Sequence, residues 1–176
     1  MKIVFLIISA ILLTGSGNSI FGTPQRPDIL VYEGKEYPIY NEPLEEFFKT
    51  HPERRPKFCG GMSSLWRGYV AYIEVVEKEL ILKEVKIHTV NPYDPNCLKE
   101  SKLSEVVPDG KRFKLDWFSG ELLAAYGEHI GGSNFYDVWK IYEKYSLFRI
   151  DKGNLKSVRH FTNAEYQEYL KQIPVN

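Results

Sequence analysis

Along most of the chain, apolar and polar side chains alternate in short runs, the period of half-buried strands. Asp28–Tyr32 and Glu36–Tyr40 flank Glu33-Gly34-Lys35, which predicts a hairpin. Pro38 confines its second strand to a sheet edge or a strand end. Trp66 to Val76 is apolar on both faces, as a central strand would be. After the polar turn Glu77-Lys78-Glu79, Leu80 to Val90 returns, with Ile81, Val85 and Ile87 on one face and Leu80, Leu82 and Glu84 on the other. Arg112–Phe118 and Glu121–Ala125 flank Ser119-Gly120 and predict a third hairpin with a two-residue connection. The glycine-containing stretch Gly127 to Asn134 reads as a flexible loop. Val138–Ile150 and Leu155–Phe161, joined at Asp151-Lys152-Gly153, make a fourth hairpin.

Helical spacing occurs twice. Leu44, Phe47 and Phe48 share a face behind Pro43, which predicts a helix over 43–50. Thr162 and Glu165 form a capping box that opens a helix over 163–172, stopped by Pro174. Tyr166, Tyr169 and Leu170 would form its buried face. The resulting expectation is a β-dominated α+β domain: an antiparallel sheet of about four hairpins, centred on the second and third, with two short helices.

The N-terminus breaks this pattern. Lys2 precedes an apolar run from Ile3 to Leu13, followed by Gly15, Ser16, Gly17 and Ser19, the layout of a secretion signal. The run is shorter than the roughly 20 residues needed to span a bilayer. Residues 1–22 are therefore expected to be a signal peptide cleaved after Gly22, or after Ser19 as the alternative. No cysteine ends the run to carry a lipid. Residues 23–176 then form one domain, secreted or periplasmic, with no membrane insertion after signal removal.

The full chain carries 23 basic and 23 acidic side chains, and the predicted signal removes only Lys2, leaving 22 and 23, a net charge of −1. Such a balance argues against nucleic acid, whose binders concentrate basic charge on one face. Cys59 and Cys97 would lie in an oxidising compartment, where a disulfide is expected. It would close a loop of 39 residues, Cys59 through Cys97, a constraint of about 4 kcal/mol in the chain-entropy account. Two cysteines are too few for a structural zinc site, and no histidine spacing completes one, so neither a metal nor a cofactor is expected.

Two motifs carry a resemblance. Trp66-Arg67-Gly68-Tyr69-Val70-Ala71 and the set Phe113, Trp117, Phe118, Ser119, Gly120 and Leu122 resemble a family of small uncharacterised exported bacterial proteins. That family has a W-R-G-Y-x-A strand and a W-F-S-G-x-L hairpin. Tyr142, Glu143, Gly153 and Leu155 resemble its final element. The likeness covers roughly residues 28–160 and implies a bacterial origin and a shared fold, without an activity.

Candidate chemistry is sparse. His51, His88, His129 and His160 form neither H-x-x-x-H nor H-E-x-x-H. His129, beside Glu128 in the predicted loop, is the best proton-transfer candidate, with Asp116 and Glu121 as carboxylate partners. Ser119 lacks the G-x-S-x-G elbow and is explained by its turn. Arg67 in an apolar strand either anchors an anionic ligand or forms a fork-shaped ion pair with Asp116, Glu121 or Glu143, and the ion pair is the favoured reading. Trp66, Tyr69 and Trp117 either fill the core or line a binding groove. Together these features favour a non-enzymatic exported binding domain acting on an envelope component or a protein partner. A small secreted hydrolase using His129 and an immunity or inhibitor-type protein are the alternatives.

Overall fold

The computed structural model describes residues 25–57, 63–87, 101–132 and 140–173. The predicted signal segment, His88, Trp139 and the predicted Cys59–Cys97 pair lie outside the described residues. Eight strands appear in chain order: β1 (Asp28–Tyr32), β2 (Lys35–Ile39), β3 (Tyr69–Val76), β4 (Glu79–Ile87), β5 (Phe113–Lys114), β6 (Gly120–Gly131), β7 (Ile141–Asp151) and β8 (Asn154–Thr162). Three helices accompany them: α1 (Pro43–Thr50), α2 (Leu103–Val106) and α3 (Asn163–Lys171). The first, second and fourth predicted hairpins are present as β1–β2, β3–β4 and β7–β8. Thr162 and Glu165 form the reciprocal capping box that starts α3.

The strands order as β3-β1-β2-β6-β7-β8-β4-β5, and β3 also pairs with β4. Seven strands therefore close into a barrel, and β5 pairs with β4 on the edge that also meets β8. The sheet is mixed, not wholly antiparallel, because β1 and β3 run parallel, Ile29 against Tyr72. The chain leaving β2 passes through α1 and returns alongside β1, the crossover that a parallel pair requires.

The third hairpin is not formed. Only Phe113–Lys114 is extended, and it pairs with β4. Leu115 and Phe118 turn inward, while β6 takes β7 as its partner over a ladder from Gly120↔Ile150 to Gly131↔Ile141. Nor is Gly127–Asn134 a loop as far as it is described: β6 continues to Gly131, with register shifts between Tyr126 and Gly131. In β4, one extra residue, Lys83, falls between the pairs Tyr72↔Glu84 and Ile73↔Leu82. This bulge inverts the face pattern read from sequence. Leu80 and Leu82 before it, and Val85 and Ile87 after it, share the side of Tyr69, Ala71 and Ile73.

The barrel interior is filled. Leu30, Ile39, Leu44, Ile73, Leu80, Leu115, Leu122 and Phe148 are fully buried. Tyr32 and Tyr37 meet Phe148 edge-on, with centroids 5.5 and 5.2 Å away. Leu44, Phe47 and Phe48 of α1 join this core, and Trp117 packs 4.6 Å from Phe47. A second, smaller cluster lies outside the barrel wall, where α3 stacks Tyr166 on Tyr145 at 4.4 Å. Leu170, expected to be buried there, stays 41% exposed because the tyrosines occupy the contact.

Two junctions of the ring are narrow. β2 meets β6 at the single pair Ile39↔Ala124, and the Asn41 amide extends it, donating to Glu121 O (3.0 Å) and accepting from Leu123 N (3.3 Å). β4 meets β8 only at Glu79↔Asn154. Here Leu80 N donates to Gly153 O (2.8 Å) and Leu155 N to Lys78 O (2.7 Å). Lys114 Nζ bridges Glu79 Oε1 and Asn154 Oδ1, both at 2.7 Å. Gly153 N donates to Phe118 O (2.9 Å), and Lys152 N donates to Ser119 Oγ (2.8 Å). Ser119 is thus a docking residue between two turns, not part of a hairpin connection.

Gly153 has a φ of +68°, and a Cβ there would lie 2.6 Å from the Leu115 carbonyl oxygen. Gly34 has a similar φ, +72°, with nothing within 4 Å of such a Cβ. Gly153→Ala should therefore lose about 3 kcal/mol or more in urea unfolding, left-handed strain plus overpacking. Gly34→Ala should lose about 1 kcal/mol, from the strain alone. Equal losses would contradict the closure described here.

Candidate functional site

Trp66 and Arg67 lie in a turn before β3, not within the strand, because Gly68 (φ 79°) closes it by donating its N–H to Leu65 O at 3.0 Å. The turn sends the two side chains apart: Trp66 is 75% exposed, while Arg67 is buried. Arg67 is not paired with Asp116, Glu121 or Glu143. Its Nη2 donates to Asp28 Oδ1 (2.8 Å) and Arg26 O (2.8 Å), and its Nη1 to Glu42 Oε1 (2.6 Å). Glu42 precedes α1 with φ 49° and gives its carboxylate to Arg67, with no side-chain cap to the helix. Tyr69 lies beneath, its ring centroid 5.5 Å from the guanidinium carbon. The Tyr69 hydroxyl donates to Glu45 Oε1 (2.7 Å), and Arg55 holds both oxygens of Glu45.

Two acids share one guanidinium here, and Asp28 Oδ1 also accepts from Ala71 N at 2.7 Å. That contact continues the β1–β3 pairing one step beyond Ile29↔Tyr72 with a side chain in place of a carbonyl. Burial pushes the Asp28 carboxyl up from its ordinary 3.8 to about 6, against the lowering by Arg67 and by the Ala71 N–H. Burial, and then the charge of Glu45, raise the Tyr69 phenol. Asp28 Oδ2 and Arg67 Nε remain buried without a hydrogen-bond partner. The cluster is a clamp tying the start of β1, the N-terminus of α1 and the start of β3. Its guanidinium is already committed to carboxylates, so it is not an open anion site.

The other sequence candidates do not converge. Trp117 is a core residue whose Nε1–H donates to Pro43 O at 3.1 Å. Asp116 and Glu121 are exposed near the start of β6, and His129 is exposed near its other end, 6.3 Å from the Tyr142 ring. Glu121 and His129 are eight positions apart along β6, roughly 25 Å at about 3.3 Å per residue. Among the described residues, no group of three or more His, Cys, Asp or Glu is placed to hold a metal ion.

A different set is brought together across β6, β7 and β8. Tyr126 on β6, Ser146 on β7 and His160 on β8 form a hydrogen-bonded chain: Tyr126 Oη to Ser146 Oγ at 3.0 Å, and Ser146 Oγ to His160 Nδ1 at 2.7 Å. Ser146 exposes no surface, so its hydroxyl is out of a substrate's reach; it orients the exposed His160 ring. The only signal in the sequence was a serine between Tyr145 and Leu147 in an otherwise apolar stretch. His160 borders an open cavity of about 610 Å³, lined also by Tyr32, Glu33, Val75, Lys78 and Leu155. A second, of about 710 Å³, runs between β8 and α3, past Arg159, Phe161 and Tyr169.

Compared with protein-family models, curated proteins and solved structures, the chain matches none.

The Asp28 carboxyl gives the clamp a pH dependence with a definite sign. Between pH 4 and 6 the folded state retains a proton that the unfolded chain releases, so stability from this group falls as pH rises through that window. The change should be on the order of 3 kcal/mol. Asp28→Asn keeps the acceptor but does not titrate. Urea midpoints measured from pH 4 to 7 should decline more steeply for the wild type than for this variant; parallel profiles would contradict the assignment.

Proposed function

We propose that residues 23–176 are an exported, non-enzymatic binding domain that acts on a protein partner. One observation carries this reading: the ring closes at Glu79↔Asn154 and leaves the rest of β8 bordering open cavities. The filled barrel interior leaves the rim as the binding surface. The Lys2 to Leu13 run supports export, as does the resemblance to small exported bacterial proteins. Of the residues that carry the resemblance, Arg67 serves the clamp, Ser119 and Gly153 the closure, and Trp117 the packing of α1, so the likeness supports a shared fold without adding a reaction. An immunity or inhibitor protein is the sub-case in which the partner is a toxin or a hydrolase.

The hydrolase alternative needs His129 beside Asp116 or Glu121, and β6 separates them. Immobilised residues 23–176 should retain a reproducible protein from envelope extract. The same preparation should not turn over ester, glycoside or peptide substrates. Turnover that disappears in His129→Ala would overturn the reading in favour of the enzyme.

A further inference from the structure

We infer that α3 is a displaceable cover, and that the barrel wall beneath it takes an amphipathic helix of a partner, bearing two aromatic side chains one turn apart. This adds a second surface to the rim proposed above and does not depend on it. The wall is the outer face of β6, β7 and β8. Two rows of side chains cross it: Ala125, Tyr145 and Phe161 in one, Leu123, Leu147 and Arg159 in the next. Tyr145, Leu147 and Phe161 are buried there, and Arg159 is the one charged side chain among them. The Tyr145 ring is anchored from its far end, because its hydroxyl accepts from Tyr142 N at 3.1 Å.

The attachment of α3 is slight. α1 and α3 are eight and nine residues long, so neither reaches the roughly 12–15 residues at which a helix holds itself together in water. α1 buries Pro43, Leu44, Phe47 and Phe48, whereas α3 buries no residue. Its hold on the wall is Tyr166, stacked on Tyr145 at 4.4 Å, and Tyr169, tilted against Phe161 at 5.3 Å. Arg159 lies over the Phe161 and Tyr169 rings, at 4.8 and 4.7 Å. Leu170 and the following Ile173 stay 41% and 43% exposed. Asn163 Oδ1, at the start of the helix, is buried without a hydrogen-bond partner. No strand follows α3 among the described residues, so lifting it breaks none of the ladder that closes the ring. Such an element opens locally, ahead of the core.

What α3 places on the wall defines what fits it. Two rings three residues apart project from one side of a helix. Here one lies flat on Tyr145 and the other meets Phe161. A partner helix with the same ring spacing makes the same contacts, and gains on α3 wherever it also buries aliphatic side chains of the kind that α3 leaves in solvent. This is helix-in-groove recognition, read by apolar anchors and not by charge. The wall is available only while α3 is lifted, so the apparent affinity scales with the open fraction. The stability of α3 on its own wall thereby sets the threshold for binding.

Two measurements on residues 23–176 test this. In native-state hydrogen exchange, the α3 amides from Gln167 to Lys171 should exchange at least a hundredfold faster than those of Leu80 and Leu155, at rates that low urea leaves unchanged. Exchange of α3 only in step with Leu80 and Leu155 would overturn the cover. A labelled peptide of the sequence Thr162 to Ile173 is the probe for the wall. It should bind at least tenfold more tightly to the double variant Tyr166→Ala, Tyr169→Ala, whose own helix has lost its hold, than to the wild type. Glu165→Ala, which removes only the capping box, should tighten binding in the same direction. Both variants are checked for folding by the protection of Leu80 and Leu155. The peptide carrying the same two tyrosine substitutions should not bind. Equal affinity for wild type and variants, no binding to either variant, or binding of the peptide without its rings would each overturn the assignment of the wall. Those outcomes leave the rim reading standing wherever extract still yields a partner.

Discussion

The structure depends on closing a seven-stranded ring with very little ladder. At the β4–β8 junction one residue pair does the work of a whole strand edge, and it succeeds because three other contacts converge there. Lys114 neutralises Glu79 and binds Asn154 at the same time. Gly153 lets the β7–β8 turn approach the Leu115 carbonyl more closely than a side chain would allow. Ser119 then fixes the neighbouring Lys152 amide. A closed barrel normally removes its edges. Here closure on one side of β8 is a single residue pair, and beyond it β8 has no second strand partner among the described residues.

The Arg67 clamp is the second constraint, and it works where the parallel β1–β3 pair would otherwise end. Burying an arginine costs several kcal/mol unless its donors are met. Asp28 and Glu42 meet its two Nη groups from two separate elements, while Nε stays unpartnered. The raised Asp28 carboxyl shows that the clamp is not free of cost: burial outweighs the favourable partners. Geometric specificity at the crossover, rather than net stability, is the physical benefit of such an arrangement.

Much of the local structure was legible in the sequence. Three hairpins and both longer helices follow from alternation, from helical spacing at Leu44, Phe47 and Phe48, and from the Thr162–Glu165 box. What was not legible depends on non-local contacts. Alternation in β4 gave the wrong faces because the Lys83 bulge changes the phase midway. Ser119-Gly120 has hairpin chemistry, yet β6 gains far more from pairing with β7 than from the two extended residues of β5. Arg67 stands in an apolar stretch, but its partners lie 39 and 25 residues away, beyond any local pattern. The Tyr126–Ser146–His160 chain, the parallel pair and the open edge are consequences of ring order, which no periodicity encodes.

The central claim is that the barrel wall is joined at Asn154 and open beyond it. Amide hydrogen exchange on the free protein addresses this residue by residue. Leu80 and Leu155 should be protected, and from Ser157 to Phe161 slow amides directed at β7 should alternate with fast ones directed outward, while the Thr162 amide is held by Glu165. Uniformly slow exchange along that stretch would mean that β8 is covered on both sides, and would contradict the account.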